Sequence, residues 1–176
     1  MRAILAEADL TLDRAISLNP TDADCYLERA RIDLVAARQE LAKRGNPAAA
    51  LTAGARALDR AEAINPREPE LFLARARVEA ARAEWTLAAG RDPGPAVRSG
   101  LAAAARAEAI SPLGGRCRAA AGALHLLAAR GATDPERRRN EAREAVKLLE
   151  EALSMNRLFA REYGPILADA RALAGG

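Results

Sequence analysis

The side chains in this chain that could do chemistry are one histidine, His125, two cysteines, Cys25 and Cys117, and a large set of arginines and carboxylates. A Cys-His pair would make a nucleophile and its base if the two met within hydrogen-bond reach. His125 follows Cys117 by eight residues, which on one helix places them about 12 Å apart along the axis, too far for that role. One histidine and two distant cysteines also cannot supply the four ligands of a structural zinc site, so neither a metal nor another cofactor is expected. Phosphoryl transfer needs a glycine-rich loop, a paired lysine and metal-binding acids, and the chain carries none of the kinase signatures. The adjacent Glu150 and Glu151 read as solvated helix-surface partners of Arg143 or Lys147. No carboxylate pair is marked as acid and base, and the residues point away from an enzyme.

Arginine supplies almost all the positive charge, since Lys43 and Lys147 are the only lysines. The 27 basic residues are interleaved with 24 acidic ones, for a net charge of +3. That pattern describes a solvated helical surface rather than a nucleic-acid footprint. Even the run Arg137-Arg138-Arg139 is flanked by Glu136 and Glu141, as expected of an exposed helix start. RNA reading by helical repeats requires a base-reading polar residue at one place in each unit. The sets Cys25, Leu71, Cys117 and Leu27, Leu73, Ala119 do not provide one. No nucleic-acid partner is expected.

These side chains must be positioned by helices. Alanine makes up roughly a quarter of the chain and aromatics only 3%, a composition that favours close-packed helices and starves a β-sheet of the residues it needs. The dipeptide Asn19-Pro20 returns as Asn65-Pro66, as Ser111-Pro112 and in altered form as Asn156-Arg157, at intervals of 46, 46 and 45 residues. Residues 21–66 laid on 67–112 match at seventeen positions, against about five expected by chance at this composition. A period in this range marks a repeat architecture whose units cannot bury their apolar faces alone.

Each period contains two helices. Gly45-Asn46-Pro47, Gly90-Arg91-Asp92-Pro93 and Gly131-Ala132-Thr133-Asp134-Pro135 follow one plan: a glycine to end a helix, Asn or Asp to cap the next, and proline in its first turn. First helices are expected near 22–44, 68–89 and 114–130, and second helices near 2–18, 48–64, 95–110 and 137–155. A further first helix is expected from Leu158 to Leu173, kinked or delayed by Gly164-Pro165. The fold class is thus all-α, one helical-repeat domain over 1–176 with a half unit 1–20, units 21–66, 67–112 and 113–157, and a half unit 158–176. Starting on a half unit suggests a piece of a longer protein. Its flank, with Ile4, Leu5, Leu10 and Leu12, is left partly bare, so a homodimer through the N-terminal helix is a possible use of it.

Cys25 and Cys117 occupy equivalent places two periods apart, about 20 Å from each other if units advance by about 10 Å. No disulfide is expected, and both read as small buried residues in a reducing, cytoplasmic setting. The longest uncharged apolar run, Ala119 to Ala129, is too short to span a bilayer. Trp85 is the one large residue that could anchor a partner, and its spacing, seven residues from Val78 and fourteen from Leu71, also fits a core stripe.

The second helices resemble those of tetratricopeptide repeats, in which a small residue is followed by a large one four later, a small one three later and a proline five later. Gly54-Leu58-Ala61-Pro66 fits fully, and Gly100, Ala104, Ala107 and Pro112 fit with alanine at the large position. Ala145-Leu149-Ala152 and Ala8-Leu12-Ala15 keep the helical spacing. In the first helices the family's aromatic position matches Tyr26, Phe72 and Tyr163, and its small position matches Ala30, Ala76 and Gly122, while Arg29 and Arg75 replace the family leucine. The unit is about twelve residues longer than the family's 34, so each helix should gain about 9 Å. The Arg/Ala-rich units and the Gly-x-Asp-Pro turn are also similar to repeat regions that follow serine/threonine kinase domains in soil bacteria such as myxobacteria.

The resemblance implies a right-handed α-solenoid of antiparallel helix pairs, about three full units plus half units at each end, whose first helices line a concave groove. Counted from the matched aromatic, that groove would use Asp24, Leu27, Arg31, Leu34 and Val35, then Glu70, Leu73, Arg77, Ala80 and Ala81, then Arg116, Ala119, Ala123 and Leu126. Arg31 and Arg77 fall in register and would form either a guanidinium ladder for an acidic protein or peptide partner, or internal pairs with Asp24, Glu28 and Glu70. The implied role is a non-catalytic protein-interaction scaffold, with self-assembly through the terminal helix as the alternative.

Overall fold

A computed structural model describes residues 2–111 and 115–175, with the side chains of the opening helix from Glu7 onward. The chain is all-helical: α1 (Arg2–Leu18), α2 (Ala23–Ala42), α3 (Ala48–Ile64), α4 (Pro69–Ala88), α5 (Gly94–Ile110), α6 (Gly115–Gly131), α7 (Pro135–Met155) and α8 (Ala160–Gly175). The described part contains no strand. The expected Pro112 turn lies outside the described residues, as do the side chains of Ile4 and Leu5.

The short turns make neighbours antiparallel, and their local chemistry is visible. Asn46 Oδ1 accepts from the Ala48 amide at 3.0 Å, Asp92 Oδ1 from Gly94 at 2.8 Å, and Asp134 Oδ2 from Arg137 at 2.8 Å. These bonds satisfy amides that a helix start leaves unpaired. The glycines expected to end the first helices behave differently from one another. Gly90 takes the left-handed conformation at φ 67°, but in the preceding turn Arg44, not Gly45, adopts it at φ 55°. Gly131 is the last residue of α6 itself. A single 3-10 turn over Arg157–Phe159 delays α8 to Ala160, and the helix runs on through Pro165.

Consecutive helices pack on one another, and the first helices also pack in series, α2 on α4, α4 on α6 and α6 on α8. Second helices stay farther apart: no Cα of α3 comes within 8 Å of α5, nor α5 of α7, and α3 meets α5 only at longer reach, through the Glu62–Arg106 ion pair. An array packed closely along one wall and more widely spaced along the other curves, with the first helices inside. One apolar cluster runs from α2 to α6 around Leu58, Leu71, Phe72 and Val78, and another joins α6, α7 and α8 through Leu126, Leu149, Tyr163 and Leu167. Buried leucines of this kind contribute roughly 1.5–3 kcal/mol each.

Arg29 and Arg75, one period apart, have a physical reason. Arg29 reaches back to Asp13 and to the Asp9 carbonyl oxygen, the latter at 3.2 Å. Arg75, one period later, reaches Asp59 at 2.8 Å and Glu62 at 3.2 Å. A first helix is thereby tied to the second helix before it by the same bridge twice. In α6 the place falls to Ala121 and the partner place to Ala105, so the bridge is absent there.

Candidate functional site

The inner wall carries two adjoining cavities. The first, of about 180 Å³, lies between α2 and α4 and is lined by Arg31, Leu34, Val35, Arg38, Glu70 and Arg77, among others. The second, of about 300 Å³, is bounded by four first helices. Arg38 comes from α2, Ala80, Ala81 and Glu84 from α4, Ala123, Leu126, Leu127 and Arg130 from α6, and Pro165, Ile166 and Asp169 from α8. Its floor is alanine and leucine because those positions face between helices, and its rim is charged because the same helices turn outward toward solvent there.

The groove residues expected from sequence distribute unevenly over this wall. Arg31, Leu34, Glu70 and Arg77 meet at the smaller cavity and Ala123 lines the larger. Leu27 and Leu73 are core residues, 5% and 3% exposed, and offer no surface. Asp24 stands exposed in the first turn of α2. Arg116 is exposed and pairs with Glu70, which also receives Arg31 Nη2 at 3.1 Å. Arg31 pairs with Glu28 as well.

The stacked guanidinium pair is therefore not what forms. One carboxylate, Glu70, is shared by Arg31 and Arg116 across three first helices, while Arg77 turns to α8. Its charge acts on the Tyr163 phenol, whose pKa burial pushes up and Arg77 pulls back down. Arg77 has no carboxylate within 4.0 Å among the described residues, and its Nε has no hydrogen-bond partner.

The residues missed in sequence are Arg38, Glu84, Arg130 and Asp169. The first three stand 46 residues apart, a positive, negative and positive charge on successive first helices at the cavity rim. Arg130 is closed by Asp169 of α8 at 2.6 Å. The register could have found the first three; the last depended on how closely α8 returns to α6.

A second register runs between the helix layers, through Asp33, Glu79 and His125. Burial raises the Asp33 carboxyl to about 6 against the pull of Arg29, and its Oδ2 has no hydrogen-bond partner. Glu79 is also raised by burial, with Arg82 Nε at 3.3 Å drawing it back. His125 Nδ1 meets Glu141 Oε2 at 2.7 Å. The pairs expected for Glu150 and Glu151 are replaced by contacts between helices, Arg171 at 2.8 Å and Arg118 at 2.9 Å. Both cysteines are free, Cys117 buried and Cys25 only partly, and burial raises both thiols. Among the described residues no cluster of His, Cys, Asp and Glu could hold a metal, and no helix is long and apolar enough to cross a membrane.

Comparison of the chain with protein-family models, with curated proteins and with solved structures finds no match.

Proposed function

We propose that this chain is a non-catalytic interaction module, a right-handed tetratricopeptide-like solenoid that holds a helix or extended segment of a protein partner, or of a neighbouring domain, against its inner wall. The observation that carries this reading is the cavity bounded by four first helices, with a floor of alanine and leucine between Arg38, Glu84 and Arg130. Such a surface suits a segment with small apolar side chains on one face and acidic side chains placed for Arg38 and Arg77, since Arg31, Arg116 and Arg130 already have carboxylates. The supply of arginine forks favours carboxylate recognition. A cytoplasmic signalling setting agrees with the free thiols and with the likeness to kinase-linked repeats.

The test is a display selection of peptides on the intact chain. Peptides bound by the inner wall lose affinity by about tenfold or more on Ala123→Glu, which fills the floor with a charge, and keep it on Arg56→Glu, an exposed change on α3. The opposite pattern places the site on the outer layer and removes the groove reading.

Self-assembly through the terminal helix is the second reading, favoured by Leu10 and Leu18, which are 71% and 78% exposed. Sedimentation at several concentrations separates the two, because a strict monomer leaves α1 no such role.

A further inference from the structure

A crevice of about 430 Å³ lies at the far edge of the array, where α2 and α4 end, away from the inner wall. Its lining is Leu41, Arg44, Gly45, Trp85, Ala88 and Ala89. Trp85 is the only tryptophan in the chain. It packs against the main apolar cluster, as its spacing suggests, but is only partly buried and also lines this space. The Arg91 guanidinium lies over its ring, 4.7 Å from the centroid.

Arg44 is the unusual member. Its φ of 55° is the left-handed conformation, and it is the only non-glycine residue with positive φ among those described. One period later the same place is held by Gly90, at φ 67°. Glycine takes that conformation at no steric cost, whereas any side chain strains it. Arg44 thus stands in the lining of a crevice whose other lining side chains are apolar. Neither Arg44 nor Arg91 has a carboxylate within 4.0 Å among the described residues, and the nearby Glu40 is held by Lys43 at 3.5 Å. Strain of this kind is kept where the surroundings or a function require it.

We propose that this crevice binds a small organic anion with an apolar body, the body lying on Trp85, Leu41 and Ala88 and the anionic group meeting Arg44. The volume falls within the range of small-molecule sites, which are apolar with a few placed polar groups. A polyanion is a poorer fit, because the lining offers one cation and four apolar side chains. The anionic group is a carboxylate or a phosphate; both accept from a guanidinium fork.

Trp85 makes the test direct. Its fluorescence is followed while the chain is titrated with N-acetylphenylalanine or phenyl phosphate, and with N-acetylphenylalanine amide and acetate as probes lacking the charge or the body. The expected result is a saturable change with one or both aromatic anions, at least about tenfold weaker with the amide and with acetate. The better of the two anions identifies the group. Arg44→Gly relieves the strain, so it should raise the unfolding midpoint while weakening binding by about tenfold. No saturation with either anion up to about 10 mM, an equal response to the amide, or unchanged binding in Arg44→Gly would overturn the proposal. The last outcome would mean that Arg44 serves only the C-terminal carbonyls of α2.

Discussion

The contact of α1 with α2 and that of α6 with α7 join a second helix and a first helix in the same array, yet they are held by different forces. No residue of α1 from Glu7 onward is buried, and its ties to α2 run through Arg29 with Asp13 and Asp9. Between α6 and α7, by contrast, Gly122 lies so close to α7 that a Cβ there would meet Leu149 Cγ at 2.7 Å and the Ala145 carbonyl oxygen at 3.2 Å. Ala145, Leu149 and Ala152 are all fully buried. Exposed ion pairs contribute little, because water solvates each charge almost as well as the partner does. Close packing of apolar groups contributes more and tolerates change less. Stability in this chain should therefore rise from the first helix toward the third unit.

The sharpest way to break that ordering is Leu149→Ala. It should cost about 2–5 kcal/mol, the usual range for emptying a packed leucine site, read from chemical unfolding followed by circular dichroism. Gly122→Ala adds one methyl group where the facing helix has no room, and should cost about 1–3 kcal/mol in the same assay. A neutral result there would show that the two helices separate easily and that the contrast is overstated.

Asp33 tests the charged region from the other side. Its folded carboxyl titrates at about 6 against an ordinary 3.8, so the folded state holds the proton more tightly than the unfolded state. The corresponding stability is fully present below about 3.8 and is lost as pH rises through about 6. For a fully buried group that gap would amount to about 3 kcal/mol; partial solvation of Asp33 reduces it to about 1 kcal/mol. Asp33→Asn should therefore stabilise the chain by about 1 kcal/mol at neutral pH and by nothing near pH 3, flattening the profile between. The smallest effect belongs to Arg29→Ala, a few tenths of a kcal/mol up to about 1 kcal/mol. It should appear as faster amide exchange confined to α1.

The helices were legible in the sequence because their signals are local. The prolines, the capping Asn and Asp residues and the 46-residue register mark starts and stops without reference to what packs where. The inner wall was legible only in part. Register brought Arg31, Glu70, Arg77 and Arg116 to one side, but Glu70 is shared by two arginines from neighbouring helices, which depends on side-chain reach rather than spacing. Leu27 and Leu73 share the helix face of the groove residues and yet are buried, because the next first helix lies against them. Trp85 shows the same limit in reverse, since its spacing fits the core stripe although the helix ends beyond it leave an open crevice.

Hydrogen exchange on the Leu149→Ala chain tests the serial arrangement most directly, since helices that lean only on their neighbours should loosen only near the damage. The account predicts loss of protection in α6, α7 and α8, with α2 and α3 close to the unaltered chain. Equal loss in every helix would mean a single cooperative bundle and would contradict it.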